Sequence, residues 1–290
     1  MTNNGDGQSK NQRREHAREV ARQTRLLEEK RRQRRRWITQ GSIALGLIAV
    51  VVIVVLIIVN STRPTTATAD GPLNMQSDGA LISAPSGEIT TVTTDAILAG
   101  EEPVATVPVE DDGVADIVVY VDYLCPFCGQ FETTNGEQIE ALVAEGSATL
   151  EIHPLSFLDS ASRNTEYSTR AANALACVAN FDPNSVLAVN TALFADQPEE
   201  NTTALDDDAL KSLVAGAGAD NEAIATCIDD RTFGDWVAEA TDRALEGPLP
   251  NANIDSVAGT PTVLVDGVQY GGALDDPDAF AAFVSDAIAG

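Results

Sequence analysis

From Ile38 to Val59 the chain reads ITQGSIALGLIAVVVIVVLIIV, a run without a charged residue and, from Gly41 onward, nearly all apolar. A segment of that kind has few places to go. As a helix its 22 residues reach roughly 33 Å, enough to cross a hydrocarbon core of about 30 Å. Trp37 stands at its amino-terminal edge, where an amphipathic ring favours the headgroup layer, and RRQRRR lies just before it. Basic residues beside a span mark its cytoplasmic side. The remainder of the chain is therefore expected outside.

Charge divides at the same border. Of 18 Lys and Arg, twelve fall within residues 1–36, which hold only five of the 44 acids. A basic tail on an acidic body implies two environments, and phosphate would repel the body, which argues against nucleic acid as a partner. A cleaved signal peptide is the competing reading, with ATA at Ala67–Ala69 as a cleavage tripeptide. Its hydrophobic region would be shorter, about 7–15 residues, so a retained anchor is expected.

Residues 60–86 are rich in Thr, Ser, Pro, Asp and Gly and have no sustained period, which reads as an extracytoplasmic linker. The expected layout is a basic cytoplasmic tail over 1–37, a transmembrane helix over 38–59, the linker over 60–86 and one folded domain over 87–290. Within the domain, EITTVTT (Glu88–Thr94) alternates as a first strand. ADIVVYVDYL (Ala115–Leu124) suits a strand buried on both faces. A helical pattern follows from Cys125 to about Glu145, weakened by TTNG at Thr133–Gly136, and ATLEIHPLSFL gives a third strand ended by Pro154. A long helical block comes next, with Asp182, Asp220 and Thr232 as expected caps and Gly216/Gly218 as a stop. Asp266-Gly267 then joins two short strands as a hairpin, and a last helix carries Phe280, Phe283 and Ile288. Strand–helix–strand and hairpin–helix units sharing one sheet make an α/β arrangement.

The chemistry sits where the buried strand ends, in YLCPFC (Tyr123–Cys128). Two thiols at this spacing could be a bridge, a metal clamp or a reagent. Placed at the first turn of the helix, Cys125 and Cys128 share one face and can bond to each other. Cys125 faces free N–H groups and the positive end of the helix dipole, which stabilise a thiolate, whereas Cys128 lies further in. Pro126 is tolerated so early in a helix. One acidic, exposed sulfur beside one shielded sulfur is what thiol–disulfide exchange requires. Far downstream, Thr260-Pro261 opens the strand PTVLVDG, where proline cannot donate to a ladder. A cis bond there would turn the Thr260 backbone toward the dithiol, ready to pair with an extended substrate.

VVYVDYLCPFCGQFE together with the distant GTPTVLVDG resembles the DsbA-type disulfide oxidoreductases of thioredoxin fold. IHPLSFLD and TEYSTRAANALACVA resemble their membrane-anchored actinobacterial members. The resemblance covers roughly residues 87–290 and implies a thioredoxin fold with an inserted α-helical domain at about 163–246. It also implies Cys125 as nucleophile, Cys128 as resolving cysteine, Pro261 as the cis-proline beside them, and Thr260, Pro126 and Phe127 as substrate-contacting residues. The best-known oxidases of the family carry His between the cysteines. Phe127 brings neither charge nor donor, so a weaker oxidant is expected. A threonine before the proline also occurs in isomerase-type relatives.

Asp122, three residues before Cys125, is a candidate proton acceptor for Cys128, with an exposed loop acid as the plainer reading. Cys177 and Cys227 sit on apolar faces of separate helices and read as a structural disulfide, closing a loop of 50 residues worth roughly 4 kcal/mol by chain entropy. All four cysteines lie beyond the span, on the side where disulfides persist. A Cys₄ zinc site competes, although Cys177 and Cys227 are too far apart for a knuckle. His153 reads as a structural residue.

These features lead to an extracytoplasmic thiol–disulfide oxidoreductase that passes the Cys125–Cys128 disulfide to reduced exported proteins. It would be a monomer at the cell membrane, with no metal or bound cofactor. By the resemblance it would be reoxidised by a membrane quinone enzyme of DsbB or vitamin K epoxide reductase type. The alternatives are an isomerase or reductase of the same fold, and a peptide-binding module without turnover.

Overall fold

The computed structural model describes residues 70–107 and 113–289. The expected tail (1–37), membrane helix (38–59) and first part of the linker lie outside the described residues, and no helix within them is long and apolar enough to cross a membrane. Six strands form one mixed sheet in the order β2-β1-β4-β3-β5-β6. They are β1 (Ala80–Ser83), β2 (Thr90–Thr91), β3 (Ala115–Val121), β4 (Ala148–Pro154), β5 (Thr262–Val265) and β6 (Val268–Gln269). The central pair β3 and β4 is parallel, from Ala115 opposite Ala148 to Val121 opposite Pro154. Helix α1 (Pro126–Ala144) makes the crossover between them. Strand β5 runs antiparallel to β3, with Val119 opposite Val263.

The near-continuous apolar runs of β3 and β4 follow from burial on both faces. Ile117, Val119, Val121, Leu150 and Ile152 pack with Phe131, Ile139 and Val143 of α1 and with Phe280 and Val284 of α7 (Pro277–Ala289). On the opposite face Tyr120, Leu155 and Leu264 meet Ala244, Leu249 and Val257 in a smaller core. The hairpin turn places Asp266 at φ 47° and Gly267 at φ 73°, the two positive values of a type I′ turn.

Between β4 and β5 lie α2 (Tyr167–Phe181), α3 (Val186–Ala195), α4 (Asp207–Gly216), α5 (Glu222–Asp230) and α6 (Gly234–Glu246). Helix α2 is their hub and is buried along nearly its whole length. Cys177 on α2 and Cys227 on α5 form a disulfide with Cα atoms 5.9 Å apart, so the two cannot join a Cys₄ zinc site.

Several expectations are corrected. The linker cannot reach residue 86, because Ala80–Ile82 pair antiparallel with Leu150–Ile152 of β4. The segment before β1 is also tied to the helices. Arg243 grips Asp78 through Nε and a second guanidinium nitrogen, both at 2.7 Å, and Trp236 Nε1 donates to the same carboxylate at 3.1 Å. The strand expected over Glu88–Thr94 is only Thr90–Thr91, at the sheet edge. TTNG, expected to weaken the helix, lies within the continuous span of α1. Asn135 is buried and its Nδ2 donates to the Phe131 and Leu274 carbonyls at 3.1 and 3.2 Å, so a tertiary tie outweighs low helix propensity. The cap of α5 is Asn221 rather than Asp220, its side chain accepting from Ala223 N, and that of α6 is Phe233 rather than Thr232.

Candidate active site

Chain direction at the end of β3 decides where the dithiol sits. Cys125 is the residue before the first helical turn of α1, with φ −75° and ψ 114°, and Pro126 follows as the first helical residue. Cys125 O accepts from Cys128 N at 3.0 Å and from Gly129 N at 3.2 Å, which closes the turn and stacks the two cysteines on one face. Neither cysteine is engaged in a disulfide. Pro126 and Phe127 project outward, Phe127 with 61% of its surface exposed.

The Thr260–Pro261 peptide bond is cis. The loop that carries it is held by Leu249 N donating to Asp255 O, Val257 N to Ala244 O and Asn253 N to Gly267 O. It lies across the dithiol, with the Thr260 carbonyl 3.2 Å from Cys125 Sγ. The two segments expected to meet, 125–128 and 260–261, are thus brought together.

The sulfurs are chemically unequal. The Cys125 thiol is lowered from the usual 9.0 to about 6. The hydrogen bond from the Cys128 thiol is the largest cause, burial opposes it, and the Thr260 side chain and the N–H groups of Cys128 and Phe127 add to the lowering. Cys128 is pushed well above its ordinary value, first by burial and then by its bond to Cys125, with the Asp122 amide working the other way. The expected asymmetry of acidity is present, but its leading source is the partner thiol rather than the helix terminus alone. Exposure differs from expectation: Cys125 is only 4% exposed and Cys128 1%. Acidity rather than exposure distinguishes the two.

Asp122 is not a loop acid on the surface. It is fully buried, and its carboxylate accepts from Leu124 N, Ser168 Oγ and Leu158 N, each at 2.8 Å. Burial outweighs those three donors and raises its carboxyl from 3.8 to about 7. It ties the dithiol turn to α2 and to the loop after β4. His153 is buried in β4, stacked on Tyr120 at 4.4 Å and 3.4 Å from Glu151. It sits in the sheet, away from the helix terminus.

Two further residues stand at the site that sequence reading did not single out. Glu132, one turn beyond Cys128, accepts from Asn190 Nδ2 and Thr191 Oγ1, both at 3.1 Å, and burial pushes its carboxyl up. Gln197, after α3, donates through Nε2 to the carbonyls of Tyr123 and Cys125 at 3.1 and 2.9 Å. Nothing in QPEE distinguishes Gln197 from an ordinary loop polar residue.

Comparison with known proteins places this arrangement. The family model described as Thioredoxin matches residues 111–286, more than half the chain. The reduced form of the disulfide bond oxidoreductase DsbG from Mycobacterium tuberculosis superposes with a TM-score of 0.50 at 31% identity, covering 60% of this chain and 78% of that one. Reduced DsbA from the same organism gives a TM-score of 0.54 at 28% identity, covering 73% and 92%. Among curated sequences, the serine/threonine-protein kinase PknE of M. tuberculosis is 34% identical over 129 residues, which is 43% of this chain. The matched part is only 23% of the kinase's own length. Fold, dithiol geometry and family model agree: the chain belongs to the thioredoxin family, with the fold of the DsbA-like thiol–disulfide oxidoreductases.

Proposed function

We propose that this protein is an extracytoplasmic disulfide donor, held at the cell membrane by the apolar segment 38–59. The carrying observation is the acidic Cys125 sulfur beside a non-acidic Cys128, under the Thr260 carbonyl. In the oxidised protein a client thiolate attacks Cys125 Sγ. The Cys125–Cys128 bond breaks, Cys128 leaves as a thiolate and takes a proton, and a client–Cys125 mixed disulfide forms. A second client thiolate then attacks the client sulfur of that bond, and Cys125 leaves. Two electrons pass from the client to the dithiol, and the client gains a disulfide.

Each part of the geometry has a place in that sequence. The low pKa of Cys125 makes it the better leaving group in the second step. The cis Thr260–Pro261 segment offers backbone groups to an extended client, and the exposed Phe127 ring gives it an apolar footing. In this direction Asp122, its buried carboxyl near 7, gives a proton to the departing Cys128 thiolate, and it acts as proton acceptor only when Cys128 attacks during reoxidation. Turnover needs a membrane partner that reoxidises the dithiol, for which a quinone enzyme of DsbB or vitamin K epoxide reductase type fits.

The equilibrium of the Cys125–Cys128 pair with glutathione tests direction. A donor lies well above the potential of thioredoxin, about −270 mV. A measured value at or below that level would make the protein a reductant and remove this reading.

A further inference from the structure

We propose that Gln197 is a positioning residue of the dithiol turn, clamping it from outside and setting how firmly the Cys125 sulfur is held against the start of α1. The inference rests on the exchange function proposed for Cys125. It adds a component that comes from the inserted helices rather than from the thioredoxin core.

The Gln197 amide has two hydrogens on Nε2, and both are used. One goes to the Tyr123 carbonyl at 3.1 Å, the other to the Cys125 carbonyl at 2.9 Å. Two carbonyl acceptors can be met only by the NH₂ end, so the orientation of the side chain is settled by chemistry. Gln197 is itself anchored, its backbone N donating to Phe194 O at the end of α3 at 3.3 Å. On the inner side the same turn is held by Asp122, whose carboxylate accepts from Leu124 N and whose carbonyl accepts from Cys125 N at 3.0 Å. Residues 123–125 are therefore gripped from both sides, by a buried acid and by an amide from the helical block.

Gly129 supplies independent support. Glycine inside a helix is unfavourable by about 1 kcal/mol relative to alanine, yet it occupies the position directly after Cys128. A Cβ there would lie 2.2 Å from Gln197 Oε1. Backbone φ does not demand glycine at this position, since Gly129 is absent from the residues of positive φ. The missing side chain leaves room for Gln197 to lie on the first turn of α1. Ionisable groups around the turn are Cys128, Asp122, Tyr123 and Glu132, and Gln197 adds donors there without adding charge.

The loss of the clamp lets the turn relax, so the N–H groups of Phe127 and Cys128 serve the thiolate less well. The test compares Gln197→Met, which keeps the volume and removes both donors, with Gln197→Glu, which puts an acceptor and a negative charge in their place. Alkylation of Cys125 by iodoacetamide is followed against pH, and each variant is equilibrated with glutathione. Gln197→Met is expected to lower the alkylation rate at pH 6 about fivefold, the scale of one hydrogen bond, and to shift the glutathione equilibrium toward the disulfide. Gln197→Glu should do more. Gly129→Ala should reproduce the Met variant although it improves helix propensity, and the Gly129→Ala/Gln197→Met pair should be no worse than either single change.

A purely structural Gln197 would lower the melting temperature and leave the pH profile of alkylation in place. Wild-type profiles and glutathione equilibria in all variants, or additive effects in the double variant, would overturn the inference. Should Gln197→Met fail to fold, Gly129→Ala carries the test alone. A wild-type protein that cannot oxidise any reduced client would remove the proposed donor function instead, with the alkylation comparison still standing.

Discussion

Cys125→Ser is expected to leave a folded protein whose disulfide transfer falls to the uncatalysed background, whereas Cys128→Ser should still attack and then stall. Cys125→Ser removes the acidic sulfur and leaves only the buried, non-acidic Cys128. In Cys128→Ser, Cys125 keeps its amide donors and loses the resolving thiol, so its thiolate attacks a client disulfide, one client sulfur leaves as a thiolate, and the resulting mixed disulfide accumulates until reductant is added. Because the Cys128 thiol is the leading stabiliser of the Cys125 thiolate, Cys128→Ser also carries a prediction of its own. A serine hydroxyl at that place should retain part of the lowering and Cys128→Ala less. Non-reducing electrophoresis and intact mass would check both, with a reduced, unfolded client for Cys125→Ser and a client that still carries a disulfide for Cys128→Ser. Transfer by Cys125→Ser at the wild-type rate would contradict the assignment of the nucleophile.

The second large effect is on stability. Replacing Cys177 and Cys227 by alanine opens a loop of sequence separation 50, which chain-entropy reasoning values at roughly 4 kcal/mol. Domains of this kind hold only about 5–15 kcal/mol in total, so the variant should unfold at much lower denaturant. Cys177 is fully buried and Cys227 nearly so, on helices that form the insertion and carry neither reactive sulfur. The alkylation profile of Cys125 should be unchanged in the folded variant. A cost under about 1 kcal/mol would show that the bridge does not restrain the unfolded chain as this model requires.

How much of this was readable in the sequence depended on range. The dithiol turn was legible because its causes are local: a buried strand, a proline at the first helical position and two cysteines one turn apart. The hairpin at Asp266-Gly267 was legible for the same reason. Strand β1 was not, because Ala80–Ser83 is a short stretch in polar surroundings whose strand character comes from β4, some seventy residues on. The low propensity of TTNG was legible, but not the bond from Asn135 to Leu274, far along the chain, that offsets it. Asp122 could be placed near the cysteines by counting, but its three donors come from Leu124, Leu158 and Ser168, and only the first is local. Gln197 was invisible because its meaning lies in two carbonyls more than seventy residues earlier in the chain. The near-complete burial of Cys125 was missed likewise, the Thr260 loop being supplied from 135 residues away.

A depressed thiol has a definite pH signature in the reduced protein. Stabilisation of the folded dithiol by the Cys125 thiolate is fully present above the ordinary value of 9.0 and is lost as pH falls through about 6. Between those limits each pH unit changes it by about 1.4 kcal/mol, equivalent to about 30 mV of two-electron potential. The oxidised form has no thiolate and lacks this dependence, so the disulfide is given up more readily as pH rises.

Titration of Cys125 in the reduced protein, by thiolate absorbance in the ultraviolet with Cys125→Ser as the blank, decides whether this sulfur is acidic. An acidic nucleophile requires a midpoint near 6, with no titration of Cys128 in the same range. A midpoint near the 9.0 of an ordinary thiol would contradict it.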